Sequence, residues 1–205
     1  MKKASILMIL GAGLLLSLFV FPLWNVTLIA PQYPAPGLGM DIYINGIESV
    51  KEGDLQNIDL MNHYIGMKYL PKPGEMWEFD VFPKVVGAMS ILGIILGFIG
   101  FTGKIKPNVF LGWLILMSVL GILGMYDFNA WLLDYGSDLD PNAIMKYVDA
   151  NGNPMTYKPP LFGHKKMLNF DTYSYPGLGG YLLGLGLVLV FLSYLVGQAS
   201  LKKKK

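Results

Sequence analysis

Four long stretches of this chain contain no charged residue, and they limit what the sequence can fold into. As helices they would each be about 26 to 31 Å long, which matches a bilayer core of about 30 Å. None alternates apolar and polar residues as a membrane β-strand does, and a bilayer otherwise accepts only helices. The sequence therefore predicts an all-α membrane protein, a bundle of four transmembrane helices over residues 4–24, 85–101, 109–126 and 177–197.

The composition is consistent with lipid as the solvent for these stretches. The chain is 53% hydrophobic and 15% charged, with a mean hydropathy of +0.46, which is outside the usual range for a soluble domain. The first stretch follows Lys2 and Lys3 as a secretory signal would. Its apolar core is too long for a signal, however, and Ala30 before Pro31 is a poor cleavage site. We therefore predict an uncleaved membrane anchor.

The distribution of charge predicts the orientation of the spans. Three short segments carry lysine and no acidic residue, whereas all 14 acidic residues lie in the two long segments between spans. The positive-inside rule places the lysine segments in the cytoplasm, with both termini. The basic pI of about 8.6 reflects these lysines, so a nucleic acid is not an expected partner. The predicted cytoplasmic segments are 1–3, 102–108 and 198–205, and the predicted outer segments are 25–84 and 127–176.

Each outer segment is predicted to fold into a small cap. In the first, the alternation through Met40 and Ile42 up to Asn45-Gly46 predicts a β-hairpin. A helix is expected from Asp54 as its N-cap, and alternation over residues 75–82 predicts another strand. Neither segment contains the motif of a serine hydrolase, a zinc protease, a P-loop or a dinucleotide site. We therefore predict no catalytic residue, no nucleotide partner and no enzymatic activity.

The predicted spans contain glycine where an ion pump would need charge. No Asp, Glu, Lys or His lies inside a span, which disfavours a pump or an ion-coupled transporter. The pairs Gly93/Gly97 and Gly180/Gly184 have the GxxxG spacing, which lets helices approach closely. Two interpretations are open: packing within the bundle, or a surface for the helix of a partner.

One group of side chains in the first outer segment is suited to binding a metal. On a helix through residue 60, Asp59, His63 and Met67 would lie on one face, with Met61 beside His63. Imidazole and thioether are ligands for copper, particularly Cu(I), and the chain has no cysteine. These four residues are the predicted copper site. The alternative is that His63 is a hydrogen-bonded structural residue and that the methionines only pack.

Several short motifs, spread over nearly the whole chain, carry a family resemblance. They are APQYP at 30–34, NHYIGM at 62–67, DYG with LDP between 134 and 141, PPL at 159–161 and LNF at 168–170. They resemble a poorly characterised family of bacterial membrane proteins encoded beside the genes that build nitrous-oxide reductase, a copper enzyme outside the cytoplasmic membrane. The resemblance implies a bacterial inner-membrane setting and supports His63 and Met67, which lie in a matching motif. It argues against His164, the second histidine and a further candidate ligand, because His164 stands where the family is expected to have a small residue.

These observations together predict a membrane-anchored accessory protein. It would assemble a periplasmic copper enzyme or supply it with copper, with nitrous-oxide reductase as the first candidate and a periplasmic or membrane protein as its partner. One alternative is a non-catalytic subunit of a membrane electron-transfer complex, packed against its redox partner through the glycine-rich helices. The other alternative is an enzyme acting on lipid, with acid/base groups at Asp127, Asp134, Asp138 and Asp140.

Overall fold

The computed structural model describes residues 1–72, 74–148, 152 and 155–203. Its five strands form one antiparallel sheet in the order β3-β2-β1-β5-β4. In chain order, the elements are helix α1 (Lys2–Leu14), a 3-10 helix (Leu15–Phe19), strands β1 (Trp24–Ala30), β2 (Tyr33–Tyr43) and β3 (Gly46–Ser49), helices α2 (Asp54–Ile65), α3 (Glu78–Phe101) and α4 (Asn108–Ser137), strands β4 (Gly163–Met167) and β5 (Phe170–Pro176), and helix α5 (Leu178–Lys202).

The predicted all-α bundle with two separate caps is wrong. The protein is an α/β fold, because both outer segments contribute strands to one sheet: β1 to β3 come from the first and β4 and β5 from the second. The predicted hairpin is present as β2 and β3, but Tyr43 pairs with Gly46, so the turn is Ile44-Asn45 and not Asn45-Gly46. We call the sheet together with α2 the cap.

Among the described residues, four helical segments are long and apolar enough to cross a membrane: Lys2–Phe19, Glu78–Phe101, Asn108–Ser137 and Leu178–Lys202. They include most of the four charge-free stretches, but their ends differ from the prediction. Residues 78–82 begin α3 and form no strand, and α4 continues past residue 126 to Ser137. Lysines flank the ends of these helices that are remote from the sheet; Lys204 and Lys205 lie outside the described residues.

Small residues set the contact between α1 and α5. A Cβ built on Gly186 would lie 2.6 Å from the carbonyl oxygen of Gly11, so the two backbones touch at this point. Ser193 reinforces the contact by donating its hydroxyl proton to the carbonyl of Ala4 at 2.7 Å. Close approach of this kind gains van der Waals contact between apolar helices.

The glycines of α3 pack against the other side of α1. A Cβ on Gly93 would lie 2.5 Å from the Cβ of Ala12, and Gly97 lies against Ile9. Internal packing is therefore confirmed for the Gly93/Gly97 pair. The other predicted pair differs, because a Cβ on Gly184 would have no neighbouring atom within 4 Å.

Strands β1 and β5 connect the sheet to the helices: β1 follows α1 through the 3-10 helix and residues 20–23, and β5 leads into α5. Strand β1 pairs with β5 antiparallel, from Trp24 opposite Pro176 to Ile29 opposite Asp171. Where the strands meet the helices, the Gly177 N–H donates to the carbonyl of Leu23, and the Gly179 N–H donates to the carbonyl of Pro22, both at 2.9 Å. The helix pair and the sheet are therefore joined by two adjacent chains, and this fixes the position of the cap on the bundle.

Helix α2 is attached to the sheet by a buried carboxylate. Asp54, predicted as the N-cap, is the first helical residue after Gly53. Its Oδ2 accepts hydrogen bonds from the N–H groups of Gly39 at 2.9 Å and Lys51 at 3.0 Å. Because Gly39 belongs to β2, this carboxylate joins the helix to the strand as well as stabilising the helix N-terminus.

Candidate functional site

A small cavity of about 40 Å³ lies inside the cap, between the sheet, α2 and the last turn of α4. This is more than the roughly 10–15 Å³ that one water molecule requires. Its lining is mainly apolar, and four of its side chains are methionines: Met40, Met61, Met67 and Met167. The interior of the cap therefore contains a small cavity with four methionine side chains in its lining.

The sheet supplies two of these methionines. Met40 lies opposite Val26 in the register of β1 and β2, and it is only 4% exposed. Met167 is the last residue of β4, where it pairs with Phe170 of β5. Because side chains alternate along a strand, Leu38 and Met40 point to the same face, which is the face that packs against α2.

Helix α2 and the turn that follows supply the other two. Met61 lies on α2, which ends because Gly66 adopts a left-handed conformation with φ 79°. The Met67 N–H then donates to the carbonyl of Asn62 at 2.9 Å, which is the Schellman pattern that turns the following apolar side chain back towards the helix. Met67 thus reaches the cavity from a turn and is 8% exposed.

The other two predicted ligands do not line the cavity. His63 is exposed, with its ring stacked on Tyr69 and its Nδ1 3.1 Å from the Tyr69 hydroxyl. Asp59 is half-buried, and its Oδ1 accepts the N–H of Leu70 at 2.7 Å. Burial raises the pKa of the Asp59 carboxyl, and the bond from Leu70 offsets only part of that rise. The structure brings Met61 and Met67 to one cavity and leaves His63 and Asp59 outside its lining.

Three polar residues, Asn62, Tyr135 and Thr172, also line the cavity. Asn62 donates a side-chain hydrogen bond to the Tyr135 hydroxyl, so these two buried groups satisfy each other. Thr172 on β5 is fully buried, and its Oγ1 has no hydrogen-bond partner among the described residues. A buried polar group left without a partner costs about 1–3 kcal/mol. Thr172 lines the cavity, but its hydroxyl oxygen is itself buried.

His164, the second histidine, lies away from the cavity on the exposed side of β4. Its Nε2 is 2.8 Å from Asp171 Oδ1, and its ring stacks on Tyr173 with 4.6 Å between centroids. Within the described part of the chain, no three side chains of the His, Cys, Asp and Glu types converge where a metal could bind. Within the described residues, what the fold brings together is four methionine side chains around one cavity.

Sequence reasoning missed Met40, Met167 and Thr172. A signal existed for Met40. It belongs to the alternating residues that predicted the hairpin, and it is one of those whose side chains are buried. The other two lie on β4 and β5, whose short polar sequences gave no strand prediction. Without those strands, residues far apart in the chain could not be assigned to one cavity.

No protein-family model matches this chain, and neither a curated protein nor a solved structure is significantly similar to it.

Proposed function

We propose that this is a membrane-anchored accessory protein that binds Cu(I) in the cavity of the cap and supplies it to a copper enzyme outside the bacterial cytoplasmic membrane. The observation that carries the proposal is the convergence of Met40, Met61, Met67 and Met167 on one cavity. Nitrous-oxide reductase is the first recipient to test, because the family resemblance points to it.

The chemistry of the lining favours a soft, singly charged ion. Thioether sulfur is a soft, neutral ligand that selects Cu(I) over harder metals. Removing an ion from water into a low-dielectric interior is costly, and the Born penalty rises with the square of the charge, so it is about four times larger for a divalent ion of equal radius. Neutral sulfur ligands carry no charge to offset the larger desolvation penalty of a divalent ion. The cavity therefore suits Cu(I) better than Cu(II) or Zn²⁺.

The burial of the four methionines supports a transfer role. Met40 and Met67 are buried, whereas Met61 and Met167 are only half-buried. An ion held by all four could leave past the two half-buried side chains, and a partner docked there could take over its ligands one at a time. A site intended for permanent storage would have no need of an exposed side.

The arrangement of the helices supports the membrane anchor. Four helical segments have the length and hydropathy of spans. Helices α1, α4 and α5 meet at the end remote from the cap, where Gly197 lies against Pro107 and Ser193 bonds to Ala4. With the lysine-flanked ends in the cytoplasm, the cap and all the acidic residues would face the opposite side, where a periplasmic copper enzyme resides.

Cu(I) binding by the full-length protein in mild detergent tests the proposal. We expect one Cu(I) per chain in an anaerobic competition titration with a chromogenic Cu(I) chelator. The Met40→Leu/Met67→Leu double variant should bind Cu(I) more than about 100-fold more weakly, because loss of outer-shell partners alone costs roughly 10–100-fold. Leucine keeps the volume of each side chain nearly constant, so the fold should persist.

Two controls accompany that titration. Met89→Leu/Met117→Leu removes the same number of thioethers from the helix core and should leave Cu(I) affinity unchanged. His63→Ala tests the imidazole predicted from the sequence, and because His63 is outside the cavity lining we expect little effect. Absence of bound copper, or equal affinity in the cavity variant and the helix control, would contradict the proposal.

A deletion strain tests the recipient. Cells lacking the protein should lose nitrous-oxide reduction at low copper, and added copper should restore it, because a supply protein becomes dispensable when its cargo is abundant. Unchanged reduction in the deletion strain would remove nitrous-oxide reductase as the recipient. Recovery of haem or iron–sulfur proteins in a mild-detergent pull-down would favour the electron-transfer subunit instead.

A further inference from the structure

Exposed tryptophan and tyrosine side chains lie where the helices meet the cap. Trp77 directly precedes α3, Tyr126 lies on α4 and Tyr181 lies in the first turn of α5, and each is more than half exposed. Each side chain has an apolar ring and one polar end, the combination that is enriched at membrane–water interfaces. We call these three residues, together with Phe162 and Tyr175 of the cap, the aromatic belt.

The belt residues of α4 and α5 lie at similar distances from the lysine-flanked end of the bundle. At that end, Gly197 of α5 lies against Pro107, the residue before α4. Tyr181 is 16 residues from Gly197, and Tyr126 is 19 residues from Pro107. These separations are about 24 Å and about 29 Å of helix, against about 30 Å for a bilayer core. Both tyrosines therefore reach the outer interface when the lysines are at the inner one.

Trp77 is held near the same level by its contact with Phe82. The two rings meet edge to face, with 6.1 Å between their centroids. Phe82 in turn lies beside Gly124, where a built Cβ would be 4.0 Å from the end of the phenyl ring. Gly124 is two residues from Tyr126, so three different helices carry an exposed Trp or Tyr at one level.

The aromatic residues nearer the lysine-flanked ends are of a different kind. Trp113 of α4 is buried, and its Nε1 donates to the carbonyl of Met89 at 3.0 Å. The exposed aromatic side chains in this part of the helices include Phe98 and Phe191, which have no polar group. Lipid explains this distribution, because a polar group without a partner is costly in hydrocarbon and well solvated at the interface.

Phe162 and Tyr175 continue the belt onto one edge of the cap. Phe162 directly precedes β4 and is more than half exposed, and its ring meets that of Tyr175 with 5.3 Å between centroids. Tyr175 is near the end of β5, two residues before Gly177, where α5 begins. The exposed pair therefore lies at the end of the sheet that joins the helices.

We propose that the aromatic belt lies in the headgroup region of the outer leaflet, and that Phe162 and Tyr175 rest the β4–β5 edge of the cap on the bilayer surface. This inference rests on the membrane placement given under the proposed function. The belt is continuous with four helical segments that have the length and hydropathy of spans. Its residues also come from three helices and the cap, which favours a lipid surface around the molecule over a protein partner on one side.

This placement directs the copper cavity away from the membrane. Met167 is the last residue of β4, at the opposite end from Phe162. The five residues between these positions correspond to about 16 Å of strand. The half-buried Met167 side chain would therefore face the aqueous side, where a recipient protein can reach it.

Spin labels on single cysteines test the belt. The chain has no cysteine, so each variant carries one label. Full-length Phe162→Cys, Ile115→Cys and Tyr69→Cys would be labelled and reconstituted into vesicles of equal parts dioleoyl phosphatidylethanolamine and dioleoyl phosphatidylglycerol. Electron paramagnetic resonance then measures how often each label collides with oxygen, which concentrates in lipid, and with a water-soluble nickel chelate. All three replaced side chains are exposed.

The other two positions are references for lipid and for water. Ile115 is eight residues from Pro107, about 12 Å of helix and close to the middle of the bilayer core. Tyr69 is on the cap beside Lys68, whose Nζ is 2.8 Å from Asp134. Asp134 lies eight residues beyond Tyr126 on α4, about 12 Å further from the lysine-flanked end.

The ratio of oxygen to nickel collisions should be highest at position 115 and lowest at position 69. At position 162 it should be intermediate and at least about threefold above position 69, because an interfacial side chain is partly shielded from water. Equal ratios at 162 and 69 would overturn the inference, and so would low collision rates with both reagents at 162, which indicate a covering protein. A ratio at position 115 as low as at 69 would instead contradict the membrane anchor. Loss of Cu(I) binding would leave all of these ratios unchanged.

Discussion

Gly186→Ala is expected to destabilise the protein severely, although it adds only one methyl group. The new Cβ would lie 2.6 Å from the carbonyl oxygen of Gly11 and 3.3 Å from the Cβ of Leu14. Neither neighbour can move away as the end of a flexible side chain could, so α1 and α5 must separate. Overpacking a tight core costs typically about 1–3 kcal/mol, and we expect the upper end of that range because the obstacle is backbone.

The matched control is Gly184→Ala, on the same helix and facing open space. Alanine is favoured over glycine in a helix interior by about 1 kcal/mol, so this variant should unfold at the same or a slightly higher denaturant concentration. Titration of both variants with SDS, followed by tryptophan fluorescence, measures the difference. Equal midpoints for the two variants would mean that the contact between Gly11 and Gly186 does not limit the stability of the bundle.

The number of long apolar helices was predictable because hydropathy is a local property of the sequence. Their ends were not, since α4 continues past its charge-free stretch to Ser137, where it packs in the cap. A signal for this continuation was present: Phe128, Trp131 and Tyr135 recur at helical spacing, and their rings stack along the helix. Those aromatics pack in the core of the cap, which explains why the helix continues past residue 126.

The sheet could not be predicted for a different reason. Trp24 on β1 donates to the Ser174 hydroxyl on β5 across a sequence separation of 150 residues. The two strands meet because α1 and α5 pack together, so their pairing depends on a tertiary contact that no local pattern contains. Only the β2–β3 hairpin, which needs a two-residue turn and nothing else, was accessible from the sequence.

The same distinction applies to the candidate site: residues close together in sequence could be grouped from the sequence, whereas residues brought together by the sheet could not. Met61 and Met67, two of the four residues of the predicted copper site, do line the cavity. The predicted helical face through Asp59, His63 and Met67 was wrong in its last position, because α2 ends at Ile65. Gly66 could have indicated this, because a glycine at the end of an apolar helix commonly stops it and reverses the chain. Met167 could be added only with the sheet known.

Asp54→Ala is expected to weaken both the fold and the proposed metal site. Asp54 is 5% exposed and accepts hydrogen bonds from Gly39 and Lys51. Each hydrogen bond to a charged group contributes about 1.5–3 kcal/mol, so we expect the free energy of unfolding to fall by about 3–5 kcal/mol. That is a large share of the roughly 5–15 kcal/mol by which native proteins are stable.

Asp54→Asn and Glu52→Ala separate the causes of this loss. Asparagine keeps an oxygen acceptor without the charge and should lose about half as much, because neutral hydrogen bonds are roughly half as strong. Glu52 is exposed beside the same turn, and its change to alanine should stay within about 0.5 kcal/mol. Chemical denaturation gives these free energies, and hydrogen exchange at the Gly39 amide reports whether β2 has separated from α2.

The same carboxylate determines how the methionines meet, since it joins the helix that carries Met61 to the strand that carries Met40. Cu(I) affinity should therefore fall in the order wild type, Asp54→Asn, Asp54→Ala, in parallel with faster exchange of the Gly39 amide. If Asp54→Ala loses stability and its Gly39 amide exchanges freely while Cu(I) affinity is unchanged, the ion cannot be held between the strand and the helix. Copper binding would then have to be assigned to side chains outside this cavity, with exposed His63 as the first to change.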